Sequence, residues 1–160
     1  MFIRIPLIFI IYSMKENFAA RRSSLAEKVL DDSAIIIGSA PVKSRISDTD
    51  YAYRQDSNFY YLSGYEEPES LLLLRPGHNT EKFVIFCRDR DPLREQWDGF
   101  RSGQDGAVSN FGADAAYSIN AIDKLLPGML DGIKNIYFSM SAPCGVCLLY
   151  TSPSPRDNTT

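Results

Sequence analysis

The sequence predicts an α/β domain in which helices flank a mixed β-sheet. The β-branched run Ala34–Gly38 is suited to a strand that is buried on both faces. Two further apolar runs, Ser70–Arg75 and Lys82–Cys87, are separated by Pro-Gly-His-Asn, which favours a hairpin reversal. Segments with apolar residues at helical spacing lie before and after these runs, and this order is typical of helices packed on a sheet.

Three elements are predicted in the amino-terminal half besides the sheet runs. Glu16–Leu30 has apolar residues at helical spacing and predicts a first helix. Val42–Ile46 alternates apolar and polar residues, as an exposed or edge strand does. The aromatic-rich segment Tyr53–Glu69 is interpreted as a core-forming strand and turn, because aromatic side chains bury large areas and Ser-Gly and Glu-Pro pairs signal turns. The alternative is a binding surface.

The pattern changes after Asp91. Leu93–Gly106 is rich in glycine and charge around the lone Trp97, so it predicts a loop from which Trp97 projects without deep burial. Two short helices are predicted, at Ala107–Phe111 and Ile119–Leu126.

Local signals indicate where the last predicted helix and strand lie. Ser118 or Asn120 is expected to cap the second of these helices, and Pro127 is expected to end or kink it. Lys134–Met140 is expected to form the final strand.

Composition excludes several functions. The 160 residues carry a net charge of −3 without a basic cluster, which argues against a nucleic-acid surface and gives no attraction to a membrane. No phosphate-binding glycine motif is present, so nucleotide chemistry has no support. No base accompanies a serine nucleophile, and the lone His78 lies in the predicted hairpin turn. A set of carboxylates is predicted to be a solvated face and not a catalytic site: Asp48, Asp50, Asp56, Glu66, Glu67 and Glu69.

The cysteines predict no metal centre. Cys87 lies in an apolar run, where a buried and inert thiol is the common outcome. Cys144 and Cys147 have the spacing of a redox or zinc motif, but a structural zinc site needs four ligands and no second pair is available. Reduced cysteines fit a cytoplasmic protein.

One motif stands out within the segment Tyr53–Glu69. Its residues are Tyr53, Arg54, Gln55, Ser57, Phe59, Tyr61, Leu62, Gly64, Glu67, Pro68 and Glu69. Further blocks lie downstream, at Arg88–Asp91, Glu95–Trp97 and Gly103–Asp105. Together they resemble the amino-terminal domain of Xaa-Pro aminopeptidase (aminopeptidase P), and the agreement extends in one register from about Met14 to Tyr137.

The resemblance implies a supporting domain and not a catalytic one. It implies a ribonuclease-H-like sheet, and it assigns the chemistry to a separate carboxy-terminal domain in which two Asp, one His and two Glu hold two manganese ions. The implied reaction releases the amino-terminal residue of a peptide whose second residue is proline. The implied partners are that catalytic domain, further copies in a homo-oligomer and the peptide substrate. None of the five metal ligands maps onto this chain.

The resemblance also suggests roles for single residues. Trp97 aligns with a family tryptophan near the substrate entrance of a neighbouring subunit, so it is the candidate for the substrate cleft; the alternative is that it only anchors its loop. Arg54 and Asp56 are predicted to be structural, orienting the turn into the aromatic run. No catalytic and no metal-binding residue is predicted.

Both ends of the chain are interpreted separately from the domain at residues 14–146. Residues 1–13 result from a start codon assigned too far upstream, or they form an export signal or anchor, or they form an extension that packs on the surface. Their apolar run is too short to span a bilayer. Residues 147–160 resemble translated sequencing adapter, the alternative being a flexible Pro/Ser-rich tail.

Two other functions remain open at the level of sequence. The chain is the amino-terminal domain of a prolidase, which cleaves dipeptides, or it is a stand-alone binding or assembly module. Reading the DNA past Val146 into an open frame with two Asp, one His and two Glu would favour a metallopeptidase over a module.

Overall fold

The computed structural model of the protein describes residues 7–46 and 49–139. The strands are β1 (Ser33–Gly38), β2 (Ser44–Ile46), β3 (Thr49–Asp50), β4 (Leu71–Leu74), β5 (Phe83–Cys87), β6 (Ala115–Ser118) and β7 (Asn135–Phe138). The helices are α1 (Leu7–Ala26), α2 (Ser57–Ser63), α3 (Pro92–Asp98), α4 (Gly103–Phe111) and α5 (Ile122–Met129), with a 3-10 turn at Ile119–Ala121. None of the helices in the described residues is both long and apolar enough to cross a membrane.

The main sheet has the strand order β6-β5-β4-β1-β7. β4 runs antiparallel to β1 and β5, whereas β1 pairs parallel with β7 and β5 pairs parallel with β6. The predicted mixed sheet is therefore confirmed, as is the hairpin, in which Leu72 faces Ile85. β2 and β3 form a separate two-stranded ribbon, and β2 is exposed as predicted.

The core lies on both faces of this sheet. Successive strand residues point to opposite faces, and β1, which is buried throughout, divides its side chains accordingly. Ile35 and Ile37 join the cluster beneath α2 and α4, and Ile36 joins the cluster beneath α5. Helix α5 contributes Ile122 and Leu126, so the predicted amphipathic stripe is confirmed.

The interpretation of Tyr53–Glu69 as a strand and turn is wrong, because its centre is the helix α2. The Asp56 carboxylate accepts hydrogen bonds from the amides of Asn58 and Phe59, each at 2.9 Å, and thereby caps the first turn. Gly64 ends the helix in the left-handed conformation, with φ 68°. A Cβ at this glycine would lie 2.5 Å from the ring of Phe18. These two caps outweigh the strand propensity of the aromatics.

The predicted loop at 93–106 is also wrong. Asp91 accepts hydrogen bonds from the amides of Leu93 and Arg94, Pro92 occupies the first turn, and helix α3 follows. Helix α4 begins at Gly103 and not at Ala107.

Several boundaries differ from the prediction. Helix α1 ends at Ala26, so Leu30, expected on its apolar stripe, is 62% exposed. Helix α5 continues past Pro127 to Met129, and the Ser118 hydroxyl caps the preceding 3-10 turn as predicted. Strands β3 and β6 have no counterpart among the predicted elements. Residues 147–160, with Asp48, Met140 and the cysteines at 144 and 147, lie outside the described residues.

Candidate functional site

The family motif is organised by the side chain of Gln55. Its carboxamide oxygen accepts hydrogen bonds from the amides of Ala40, at 2.8 Å, and Asp56, at 2.9 Å. The Tyr53 hydroxyl lies 3.0 Å from the same oxygen and 3.0 Å from the carbonyl of Ala40. Partial burial raises the pKa of Tyr53 above its usual range. One acceptor therefore ties the end of β1 to the start of α2.

The other half of the Gln55 carboxamide extends this connection to the end of the motif. Its nitrogen donates to the carbonyls of Tyr65, at 3.2 Å, and Glu67, at 3.0 Å. The chain on both sides of α2 is thus held by one side chain, and this fixes where the Glu-Pro-Glu turn lies relative to β1.

The aromatic residues of the motif divide between core and surface. Phe59 and Tyr65 are fully buried, and their rings pack edge to face. Tyr61 is 55% exposed and is covered by the Arg21 guanidinium, which lies 4.3 Å from the ring centroid and donates to the Tyr61 carbonyl. The prediction of a core role is therefore confirmed for Phe59 and Tyr65 and wrong for Tyr61.

Two ionisable groups in this core stay neutral. Burial raises the pKa of Tyr65 far above its usual range, and the neighbouring thiol and carboxylate act in the same direction. Burial also raises the pKa of Cys87 to about 11, so the thiolate is disfavoured. Cys87 is a free and buried cysteine, as predicted.

Helix α3 carries the exposed surface that contains Trp97. Four strands of the main sheet, β1, β5, β6 and β7, run in the same direction. The helix follows β5, at the end of the sheet where the carboxyl ends of these strands lie. Trp97 is 89% exposed, Leu93 77% and Phe100 68%, and these three residues form what we call the α3 patch. Helix α3 itself buries no residue. Exposed apolar surface of this kind commonly marks an interaction site.

Because α3 has no buried side chain, polar contacts hold it in place. Arg90 forms two hydrogen bonds with the Glu95 carboxylate, at 3.1 and 3.0 Å. Arg101, which is 7% exposed, donates to the Asp98 carboxylate at 2.9 Å and to the carbonyl of Asp89 at 3.3 Å. The two ends of α3 are therefore fixed by charged groups.

Glu67 of the motif reaches the same region from the other side. One carboxylate oxygen accepts from the amide of Ser102 at 2.7 Å, immediately before α4. The other lies 3.6 Å from the Arg88 guanidinium, and the Glu67 side chain is 15% exposed. The prediction that Glu67 belongs to a solvated face is wrong, because this carboxylate is directed inward.

Asp89 gathers three donors at this edge of the sheet. Its carboxylate accepts from the Ser118 hydroxyl at 2.6 Å, from Gln104 at 2.8 Å and from Asn120 at 3.3 Å. These hydrogen bonds, the one from Ser118 first, hold the pKa of Asp89 below its usual range. The arrangement joins β5, β6 and α4, which is a structural role.

The described residues contain no cluster of three or more His, Cys, Asp or Glu side chains that could hold a metal ion. His78 lies in the hairpin turn, where its imidazole accepts from the amides of Thr80 and Glu81, so it serves the turn.

The family model described as "Aminopeptidase P, N-terminal domain" matches residues 18–137. The chain belongs to this family. The Xaa-Pro aminopeptidase of Haemophilus influenzae is 39% identical over 123 residues, which are 77% of this chain and 29% of that protein. Each curated relative that we compared is matched over less than a third of its own length.

Solved structures of aminopeptidase P superpose on this domain. The Pseudomonas aeruginosa aminopeptidase PepP aligns with a TM-score of 0.78 and 43% identity, covering 88% of this chain and 30% of that one. The zinc-substituted Escherichia coli aminopeptidase P in complex with product aligns with a TM-score of 0.75 and 37% identity, covering 79% and 29%. The likeness confirms the family and the fold predicted from the motif.

Within this aminopeptidase P amino-terminal domain, the structure divides the predicted motif residues by position. Asp56 is structural as predicted, whereas Arg54, Ser57 and Glu69 are exposed. Glu69 has φ 51°, and it follows the partly buried Pro68 in the turn into β4. The sequence did not indicate the polar groups that hold α3 in place, above all Arg101. The local signal for the helix itself is the Asp-Pro pair at its start.

Proposed function

We propose that this chain is the non-catalytic amino-terminal domain of a manganese-dependent Xaa-Pro aminopeptidase. The parent enzyme releases an amino-terminal residue that precedes proline, and this domain supports oligomerisation and one wall of the substrate cleft. The identity to the Haemophilus influenzae Xaa-Pro aminopeptidase supports the activity of the parent. The coverage of under a third of that protein supports a separate catalytic part.

The observation that carries the proposal is the exposure of the α3 patch. A tryptophan that is 89% exposed beside two other exposed apolar side chains is disfavoured in an isolated domain. Coverage by a neighbouring subunit or by a peptide would remove this apolar area from water. Tryptophan is also common among residues that dominate binding interfaces.

The proposal assigns the two manganese ions to the catalytic part of the parent. In the described residues no His, Cys, Asp and Glu side chains are gathered as such ions require. The metal there would activate water and polarise the scissile carbonyl. The described residues of this chain contribute contacts and position. A cytoplasmic location is part of the proposal, and the free Cys87 thiol supports it.

The test is Trp97→Ala in the full-length parent enzyme. We expect the metal content to stay unchanged and kcat/KM for peptides with proline in the second position to fall about tenfold or more, since a single interface tryptophan often contributes 2 kcal/mol or more. The matched control is Tyr51→Ala, which removes an aromatic that is 58% exposed on the ribbon of β2 and β3.

Equal peptide cleavage by the Trp97 variant and the wild-type enzyme would remove the cleft role. Sedimentation velocity on the same samples then tests oligomerisation, because loss of an interface residue shifts the subunit equilibrium even where cleavage is unaffected.

A further inference from the structure

We propose that Glu67 is a positioning residue for Trp97, acting through the backbone amide of Ser102. The inference goes beyond the cleft role of Trp97 by naming the group that fixes it, and its functional meaning rests on the proposed function. Glu67 is 35 positions from Ser102 in sequence, yet its carboxylate oxygen lies 2.7 Å from that amide nitrogen. Glu67 therefore connects the family motif directly to the segment that bears Trp97.

The geometry makes this contact the anchor at the carboxyl end of α3. The start of α3 is held by its short link to β5 and by the Asp91 cap. Its end has no apolar anchor, because no residue of α3 is buried and the flanking Phe100 is exposed. Position there depends on Arg101 and on the hydrogen bond between Glu67 and Ser102. The Arg90 guanidinium adds a contact with the Phe100 ring, 4.9 Å from its centroid.

The chemistry of the contact explains why the acceptor is a carboxylate. Ser102 precedes α4, and its own side chain makes no capping hydrogen bond. The Glu67 carboxylate accepts from the amide of Ser102 itself, at the helix N-terminus, where backbone amides lack intrahelical partners and negative charge is favourable. Hydrogen bonds from an amide to a carboxylate are stronger than neutral ones. Arg88, 3.6 Å away, balances the charge of a side chain that is mostly buried.

Glu67 is in turn held by the motif itself. The carbonyl of Glu67 accepts from the Gln55 nitrogen at 3.0 Å, so the backbone from which the carboxylate projects is fixed relative to β1. A continuous path of hydrogen bonds thus runs from β1 through Gln55 and Glu67 to Ser102. The motif therefore fixes the position of α3 through hydrogen bonds in which the Trp97 side chain takes no part.

Hydrogen exchange on the full 160-residue chain tests the anchor. In Glu67→Ala we expect the amides of Leu93–Asp98 to exchange about tenfold faster or more, because loss of a charge-assisted hydrogen bond changes an opening equilibrium by at least that factor. Glu67→Gln keeps a neutral acceptor and should retain part of the protection, so that its exchange lies between that of Glu67→Ala and the wild type. Glu66→Ala, at an exposed neighbouring position, is the matched control and should leave α3 unchanged.

A second pair of variants removes the donor and keeps Glu67. Ser102 has φ −66°, which proline adopts, so Ser102→Pro deletes the amide hydrogen and should reproduce the faster exchange. Ser102→Ala retains the amide and should not. If Glu67→Ala fails to fold by circular dichroism, this pair decides the question. Unchanged exchange in α3 for the variant that lacks the hydrogen bond overturns the inference.

A double-mutant cycle in the parent enzyme separates this inference from the proposed function. If Glu67 acts through Trp97, Glu67→Ala lowers peptide cleavage in the wild-type background and has no further effect in a Trp97→Ala background. Fully additive losses would overturn the positioning role. Faster exchange in α3 together with unchanged cleavage by both single variants would support the anchor and refute the cleft role of Trp97.

Discussion

Replacing Gln55 by alanine should destabilise the domain more than any other change of a polar residue in the motif. The side chain has three contacts at its oxygen and two hydrogen bonds from its nitrogen, at 2.8 to 3.2 Å. Each hydrogen bond contributes about 1 kcal/mol net, and an amide left without an acceptor adds to the loss. We expect a decrease of about 3 kcal/mol in the free energy of unfolding, allowing for non-additivity.

Urea unfolding followed by far-UV circular dichroism measures this loss. Trp97 is the single tryptophan and is almost fully exposed, so its fluorescence would report poorly on unfolding of the core. A decrease of about 3 kcal/mol is a large part of the 5–15 kcal/mol typical of a domain, and it should lower the midpoint without changing the slope.

Two variants bracket the result. Gln104→Ala removes a glutamine with one hydrogen bond, to Asp89, and should change the free energy of unfolding by about 1 kcal/mol or less. Gln55→Glu keeps the acceptor but places a carboxylate oxygen beside the carbonyls of Tyr65 and Glu67, so it should be nearly as destabilising as alanine. If Gln55→Ala behaves like Gln104→Ala, the organising role that we give to Gln55 is wrong.

Two further predictions concern the Asp56 cap of α2 and the stability of the domain at acid pH. Asp56→Ala should lower the free energy of unfolding by about 1 kcal/mol through loss of the α2 cap, and Asp56→Asn should retain most of it, as measured in urea. The pKa of Asp89 is lower in the folded state, so its contribution is complete above the unfolded pKa of about 3.9 and is lost as the pH falls through the folded pKa. The free energy of unfolding of Asp89→Asn should therefore depend less steeply on pH below about 4 than that of the wild type. Equal dependence on pH in the two proteins would contradict this.

The elements that sequence predicted well are those with an uninterrupted pattern. The β-branched run of β1, the hairpin of β4 and β5, and the apolar spacing of α5 each agree with how those elements are buried. Pattern and burial coincide there because every residue of β1, β4 and β5 is buried and the apolar residues of α5 pack against the core. The family motif predicted the fold as a whole, since the relatives superpose over most of this chain.

The failures occur where a single polar residue decides the local structure. Asp56 and Asp91 each start a short helix. The aromatic content of the first segment predicted a strand, and the glycine content of the second predicted a loop. The contact between Glu67 and Ser102 could not be predicted, because nothing in the local sequence pairs residues so far apart. Strand β6, Ala115–Ser118, has little strand propensity, and it forms because β5 offers it an edge.

The pairing of β1 with β7 has a consequence for synthesis of the chain. Ser33 pairs with Asn135, and residues that far apart are made roughly 5 to 20 seconds apart at about 5–20 residues per second. Until β7 emerges, one edge of a strand built from Ala34 and three isoleucines is unpaired, while the β4 and β5 hairpin can already close. The nascent chain therefore passes through an interval in which one edge of this apolar strand is exposed to chaperones and to other nascent chains.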